Sequence, residues 1–298
     1  MSGFDALWLA QREPFDLAAR STRLEQGFAG ALRAHARAGG DTVRLLDLGG
    51  GTAANFRALA PRLGGDQHWL LCDYDPLLLA GAMRSIAQWA NDHGWECSRS
   101  TAAVVVRSGG ARWSLETREI NLASELESLA AESVDGVTTT AFLDLVSLPW
   151  LERLADWIAA SGLPLLATLT VDGRRRWTPF LDSDLILDEA FRRHQAGDKG
   201  FGQSVGPGAA QALASMFEAR GVACETETSD WRIGAQAPAM LRRMASEAAM
   251  VALEVRPEQR PVVDAWVAER DRLIALGAAS LTVGHCDLLA LPGSRLAG

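Results

Sequence analysis

Residues 43–52, VRLLDLGGGT, confine this chain to a narrow set of folds. The apolar run reads as a buried strand that ends in an acid, Asp47, and then in three glycines, Gly49, Gly50 and Gly51. Thr52 and Asn55 follow among small residues at the start of a helix predicted over 53–63. Glycine lets the backbone turn tightly and puts no side chain between its amides and a ligand. At the carboxyl end of a first strand, such a turn is the usual nucleotide-cofactor crevice of an open α/β sheet.

Two readings compete on these residues. GGGTAA at 49–54 fits G-x-G-x-x-A, the dinucleotide fingerprint whose third position accepts alanine. Taken alone that pattern has little specificity. Asp47 shifts the balance, because a buried acid two residues before Gly49 would repel an arriving pyrophosphate. It suits a cofactor that presents a cation. The next strand, HWLLCDYDP at 68–76, places Asp73 at its end, about twenty residues after the glycines. A carboxylate at that spacing can accept both hydroxyls of a ribose.

With DLGGGTAAN at 47–55 and LLCDYDPLLL at 70–79, the chain resembles the class I (Rossmann-like) S-adenosylmethionine-dependent methyltransferases. REINLASEL at 118–126 and VDGVTTTAFLDLVS at 134–147 are weaker echoes, and the likeness covers roughly residues 40–172. It implies an α/β fold with a doubly wound, mostly parallel sheet of about seven strands. The implied cofactor is S-adenosylmethionine, with S-adenosylhomocysteine as product. Gly49, Gly50 and Gly51 would approach its methionyl part beside Asp47, and Asp73 would hold the ribose. Asn55, Tyr74, Leu122 and Thr140 complete the implied cofactor set. Arg20, in a helix before the sheet, would fold over and meet the cofactor carboxylate. Asn121 stands where the family often has an acid; its amide oxygen can still accept from the adenine amino group.

A chain of 298 residues suffices for one large α/β domain with elaborations. We expect an N-terminal helical region or lid over 1–40 and a cofactor-binding domain over 41–298. The net charge of −8 argues against a broad nucleic-acid surface, which needs a basic face. No uninterrupted apolar stretch is long enough to span a membrane. The opening MSGFDALWLAQREPFD lacks a basic start and a cleavage site. The four cysteines are scattered without a C-x-x-C pair, so a reducing, cytoplasmic setting is expected and no metal.

Strands are predicted over 43–48, 68–73, 103–106 with 112–119, 134–139, 163–171, 222–230 and 280–290. Residues 174–206 read as a lid or loop elaboration. Residues 236–277 read as a helical insertion before the last strand, either a substrate cap or a homodimer surface.

The acceptor is inferred by exclusion. No N-P-P-Y or D-P-P-Y string follows the fourth strand, and no carboxylate cluster suggests a metal-assisted mechanism. A small-molecule acceptor, methylated on O or N, is the reading that remains. Asp144, after the fourth strand, could orient or deprotonate it, or simply cap a helix. His194 offers a base near neutral pH or is a surface histidine. Arg174 and Lys199 could recognise an anionic group, or be solvated loop cations. Trp177 could line an aromatic pocket or fill the core. Two rival functions are an NAD(P)-dependent oxidoreductase, which Asp47 disfavours, and a catalytically silent binding protein, which the undamaged glycine turn and Asp73 disfavour.

Overall fold

The computed structural model describes residues 6–36, 42–100 and 103–293. The Ala38-Gly39-Gly40 stretch at the end of the expected 1–40 region lies outside the described residues. Two helices, α1 (Ala6–Ala19) and α2 (Thr22–Ala36), come first. β1 (Thr42–Leu48) leads through the glycines into α3 (Ala54–Leu63), and β2 (Asp66–Asp73) into α4 (Pro76–Asp92). The start of α4 is written in the sequence: Pro76 takes the first turn, and the Asp75 carboxylate caps it by accepting the Leu77 amide.

Three strands follow, β3 (Glu96–Arg99), β4 (Ala103–Ser108) and β5 (Ala111–Glu119). The next elements are α5 (Leu122–Glu125), β6 (Gly136–Thr140), α6 (Leu148–Ser161), β7 (Leu165–Thr178) and α7 (Asp184–Gln195). The chain closes with α8 (Ala209–Ala219), β8 (Ala223–Thr228), β9 (Trp231–Ile233), α9 (Pro238–Val255), α10 (Arg260–Ala275) and β10 (Ser280–Leu291).

The strands form one sheet in the order β3-β4-β5-β2-β1-β6-β7-β10-β8, with β9 pairing on β10. β5, β2, β1, β6 and β7 run parallel. β10 enters antiparallel between β7 and β8. Strand order reverses between β1 and β6, and the crevice beyond their carboxyl ends is where such sheets bind ligands. This is the class I methyltransferase fold, with ten strands instead of about seven.

The extra strands have local causes. The ambiguous stretch at 103–119 is a hairpin, because Gly109 and Gly110 at φ 56° and 90° make the two-residue turn that reverses the chain. β3 then adds to its free edge. The strand expected over 222–230 is β8, and β9 follows just beyond it; the two pair with different parts of β10.

Alternation along β1 feeds both faces of the sheet. Leu46 and Leu48 enter a layer closed by α6 and α8, and Leu45 enters the layer under α2, α3 and α4. A third apolar cluster is a cap built from α7, α9, α10, β9 and the far end of β7. The insertion over 236–277 is thus a helical pair, as expected. The elaboration expected from 174 begins later, since residues 174–178 continue β7. At the centre of the cap, buried Asp184 accepts from the Arg270 guanidinium and from the Trp266 indole at 2.6 Å.

Candidate cofactor and acceptor site

The glycine turn is built around Asp47. This carboxylate is fully buried; its Oδ1 accepts from Asn55 Nδ2 at 2.7 Å and from the Thr138 hydroxyl at 2.9 Å. Its Oδ2 has no hydrogen-bond partner. Burial pushes the Asp47 pKa up to about 6, against the pull of Asn55, Thr138 and the more distant Arg20. Side chains are excluded from the turn by contact as well as by conformation. A Cβ on Gly50 would lie 2.5 Å from Leu71 Cγ and 2.9 Å from Asp47 Oδ2. Gly49 sits at φ 66°, and a Cβ there would lie 2.6 Å from the Phe142 ring.

Asp73 faces the same turn from β2. Its Oδ2 accepts the Gly51 amide at 2.9 Å and its Oδ1 the Asp75 amide at 3.0 Å. Burial raises its pKa, while the amides of Asp75, Gly51 and Tyr74 hold it back. Two amide bonds leave lone pairs on both oxygens for further donors. Tyr74 is exposed beside it. Asn121, on the adjoining loop, is exposed and caps α5; its amide oxygen already accepts the Ala123 amide at 3.0 Å. The side chain of Leu122 is buried, and its carbonyl is taken by the Trp150 indole. Thr140, at the end of β6, accepts from the Thr168 hydroxyl at 2.9 Å.

The N-terminal helices close over this turn. Leu9 of α1 lies near Gly51, 3.7 Å from where its Cβ would be. Glu13 of α1 binds Arg57 of α3 through both carboxylate oxygens, and Arg57 also donates to the Thr52 carbonyl. Arg20 lies at the break between α1 and α2 instead of within a helix, and protein groups hold it: Glu25 accepts from its Nε and Asn55 from its Nη2 at 2.9 Å. Arg20, Asn55 and Asp47 therefore form one chain of hydrogen bonds. Thr138, Glu13 and Arg57 gave no signal in the sequence, since nothing local marks a polar residue on a neighbouring strand or helix.

The residues expected to serve an acceptor are dispersed over the loop after β6, β7, and α7 with the segment beyond it. Asp144 is buried, and burial pushes its pKa up to about 6; its own amide, Arg12 of α1 and the Val171 amide pull it back. His194 is not joined to it. The His194 ring lies 3.8 Å from Glu254 of α9, and partial burial and Lys199 lower its pKa. Lys199 is engaged, donating at 3.1 Å to the His194 carbonyl at the end of α7. Arg174 is not a free cation: Asp172 and Asp230 bind it from both sides. Trp177 is buried in the cap, edge-on to Trp266 at 5.8 Å with the Arg270 guanidinium against its ring, so it fills core instead of lining a pocket.

No family model matches the sequence, and no curated protein does. Among solved structures, the chain is similar to a cyclopropane-fatty-acyl-phospholipid synthase-like protein from Lactobacillus casei. That likeness has 14% identity, covers 94% of this chain and 99% of the other, and has a TM-score of 0.50. An S-adenosylmethionine-dependent methyltransferase from Geobacter sulfurreducens, in complex with S-adenosylhomocysteine, follows at 13% identity, 98% and 100% coverage and a TM-score of 0.42. A phosphoethanolamine N-methyltransferase from Haemonchus contortus matches at 12% identity and a TM-score of 0.44, over 98% of this chain. The present chain spans 59% of the length of that enzyme. At these identities the Lactobacillus protein shares the fold alone, and the two lower scores support nothing further. Among the described residues no helix is long and apolar enough to cross a membrane, and no group of acids, histidines and cysteines is arranged to hold a metal.

Proposed function

We propose that this protein is an S-adenosylmethionine-dependent methyltransferase acting on O or N of a small-molecule acceptor. One observation carries the reading: a glycine turn too tight for a Cβ at Gly49 or Gly50, flanked by a buried Asp47 with an unpartnered oxygen and by Asp73. A buried carboxylate with spare acceptor capacity favours a cationic ligand and opposes a pyrophosphate. The residues present fit S-adenosylmethionine. Asp47 would attract its charged methionyl end, Gly49, Gly50 and Gly51 would admit it closely, and Asp73 would accept from its ribose hydroxyls.

S-adenosylmethionine supplies an electrophilic methyl group together with its own leaving group. The chain's share of the work is alignment and exclusion of water. α1, fixed to α3 through Glu13 and Arg57, covers the turn. Asp144, with a pKa near neutrality, would orient an acceptor or take its proton. The net charge of −8 favours a small acceptor over a nucleic acid.

Calorimetric titration with S-adenosylhomocysteine, S-adenosylmethionine and NADH tests the reading. Micromolar binding of the first two and none of the third is expected. Binding of NADH alone would move the protein to the dinucleotide-dependent oxidoreductases.

A further inference from the structure

The far end of β7 carries three consecutive arginines in unlike surroundings. Arg174 is saturated by Asp172 and Asp230, and Arg176 is exposed. Arg175 is half-buried, and among the described residues it enters no ion pair. Its guanidinium stacks on Phe191 of α7 at 4.3 Å, and its Nη2 is buried without a hydrogen-bond partner. Burial lowers its pKa, opposed by the more distant Asp188 and Glu247. An unpaired guanidinium nitrogen away from water is costly unless a ligand completes it.

A second unpaired group stands on the helix that carries Phe191. Gln195 Oε1 is buried with no partner, and Gln195 stands one helical turn beyond Phe191, on the same face of α7. Amide oxygen and nitrogen are assigned by their partners, so the Gln195 amide can equally present its NH2 to an anion. Arg175 is connected to Asp144 through β7. The Val171 amide acts on Asp144, and Val171 and Arg175 are separated by at most about 13 Å of extended chain. A bulge around Gly173, φ 82°, shortens that path.

We propose that Arg175, assisted by Gln195, anchors an anionic group of the methyl acceptor, a carboxylate or a phosphate, while the acceptor's nucleophilic atom lies toward Asp144. The planar fork of the guanidinium matches either anion with two parallel hydrogen bonds, and stacking on Phe191 fixes its plane. The assignment rests on the methyltransferase reading and narrows its acceptors to acidic small molecules.

The test uses the full chain saturated with S-adenosylhomocysteine and titrated with inorganic phosphate or benzoate, followed by calorimetry or amide chemical shifts. Wild type and Arg176→Met are expected to bind at least one probe equally well. Arg175→Met should weaken that binding at least tenfold, Arg175→Lys at least threefold, and Gln195→Leu at least threefold, with S-adenosylhomocysteine affinity unchanged in all. The stronger probe tells a phosphate site from a carboxylate site. Equal probe binding by Arg175→Met and wild type would overturn the proposal, as would no binding of either probe by wild type. If Arg175→Met does not fold, Gln195→Leu decides by the same criterion. Failure of wild type to bind S-adenosylhomocysteine would instead remove the cofactor reading, leaving the probe titrations of the unliganded protein to judge Arg175.

Discussion

Replacing Asp47 with asparagine separates the electrostatic cost of the site from its packing. The folded protein holds the Asp47 proton more tightly than the unfolded chain does, with pKa values of about 6 against an ordinary 3.8. Unfolding therefore releases a proton between those values, and stability falls as pH rises through them. Asp47 contributes no penalty well below 3.8 and its full penalty, about 3 kcal/mol, well above 6. About 2 kcal/mol of that is incurred between roughly pH 4.5 and pH 7.5. Asparagine does not titrate, and its oxygen can keep the bonds from Asn55 and Thr138. Its NH2 group replaces the unpartnered Oδ2, which costs about 1–3 kcal/mol independently of pH. The informative quantity is thus the difference between variant and wild type at the two pH values. Urea unfolding followed by tryptophan fluorescence should show the variant gaining about 2 kcal/mol on wild type as pH rises from about 4.5 to 7.5. Asp144 also titrates near 6, but it is present in both proteins and cancels. Cofactor affinity should run the other way, rising with pH through about 6 in wild type and remaining flat in the variant. A stability difference that does not change with pH would refute the reasoning.

Three further outcomes are expected. Asp73→Ala should weaken S-adenosylmethionine binding more than tenfold by calorimetry, since charge-assisted hydrogen bonds are worth about 1.5–3 kcal/mol each; unchanged affinity in a folded variant would remove its role. Once an acceptor is found, turnover in wild type should rise with pH through about 6 as Asp144 ionises, and Asp144→Asn should lose that limb while binding S-adenosylhomocysteine normally. Asp184→Ala should destabilise the protein by about 3–5 kcal/mol in urea, because it strands the buried Arg270 guanidinium; a loss under about 1 kcal/mol would show that the cap does not depend on this pair.

The parts of this molecule legible in the sequence are those set by neighbours along the chain. β1, the glycine turn, α3, β2 and the Pro76 start of α4 are local patterns, and Asp47 and Asp73 follow from their places at strand ends. The hairpin of β4 and β5 was blurred because its strands alternate only partly, with the turn at Gly109 and Gly110 the clearest clue. The distinction between Arg174 and Arg175 was not legible. It depends on Asp230, 56 residues away, and on α7 packing against the far end of β7. The capture of Arg20 by Glu25 and Asn55 was not legible either.

Asp287 of β10 has a bearing on how the molecule is made. It is buried, and it accepts the Ser21 amide at 2.8 Å, the Leu169 amide at 2.7 Å and the Ser229 hydroxyl at 2.6 Å. Ser21 lies at the joint between α1 and α2, 266 positions before Asp287. The joint that seats α1 is therefore fastened by a segment synthesised long after it. Contacts so distant in sequence form late and slowly. A nascent chain can pair β1 with β2 long before it owns a seat for α1, so the cover over the glycine turn is fastened only once β10 is in place.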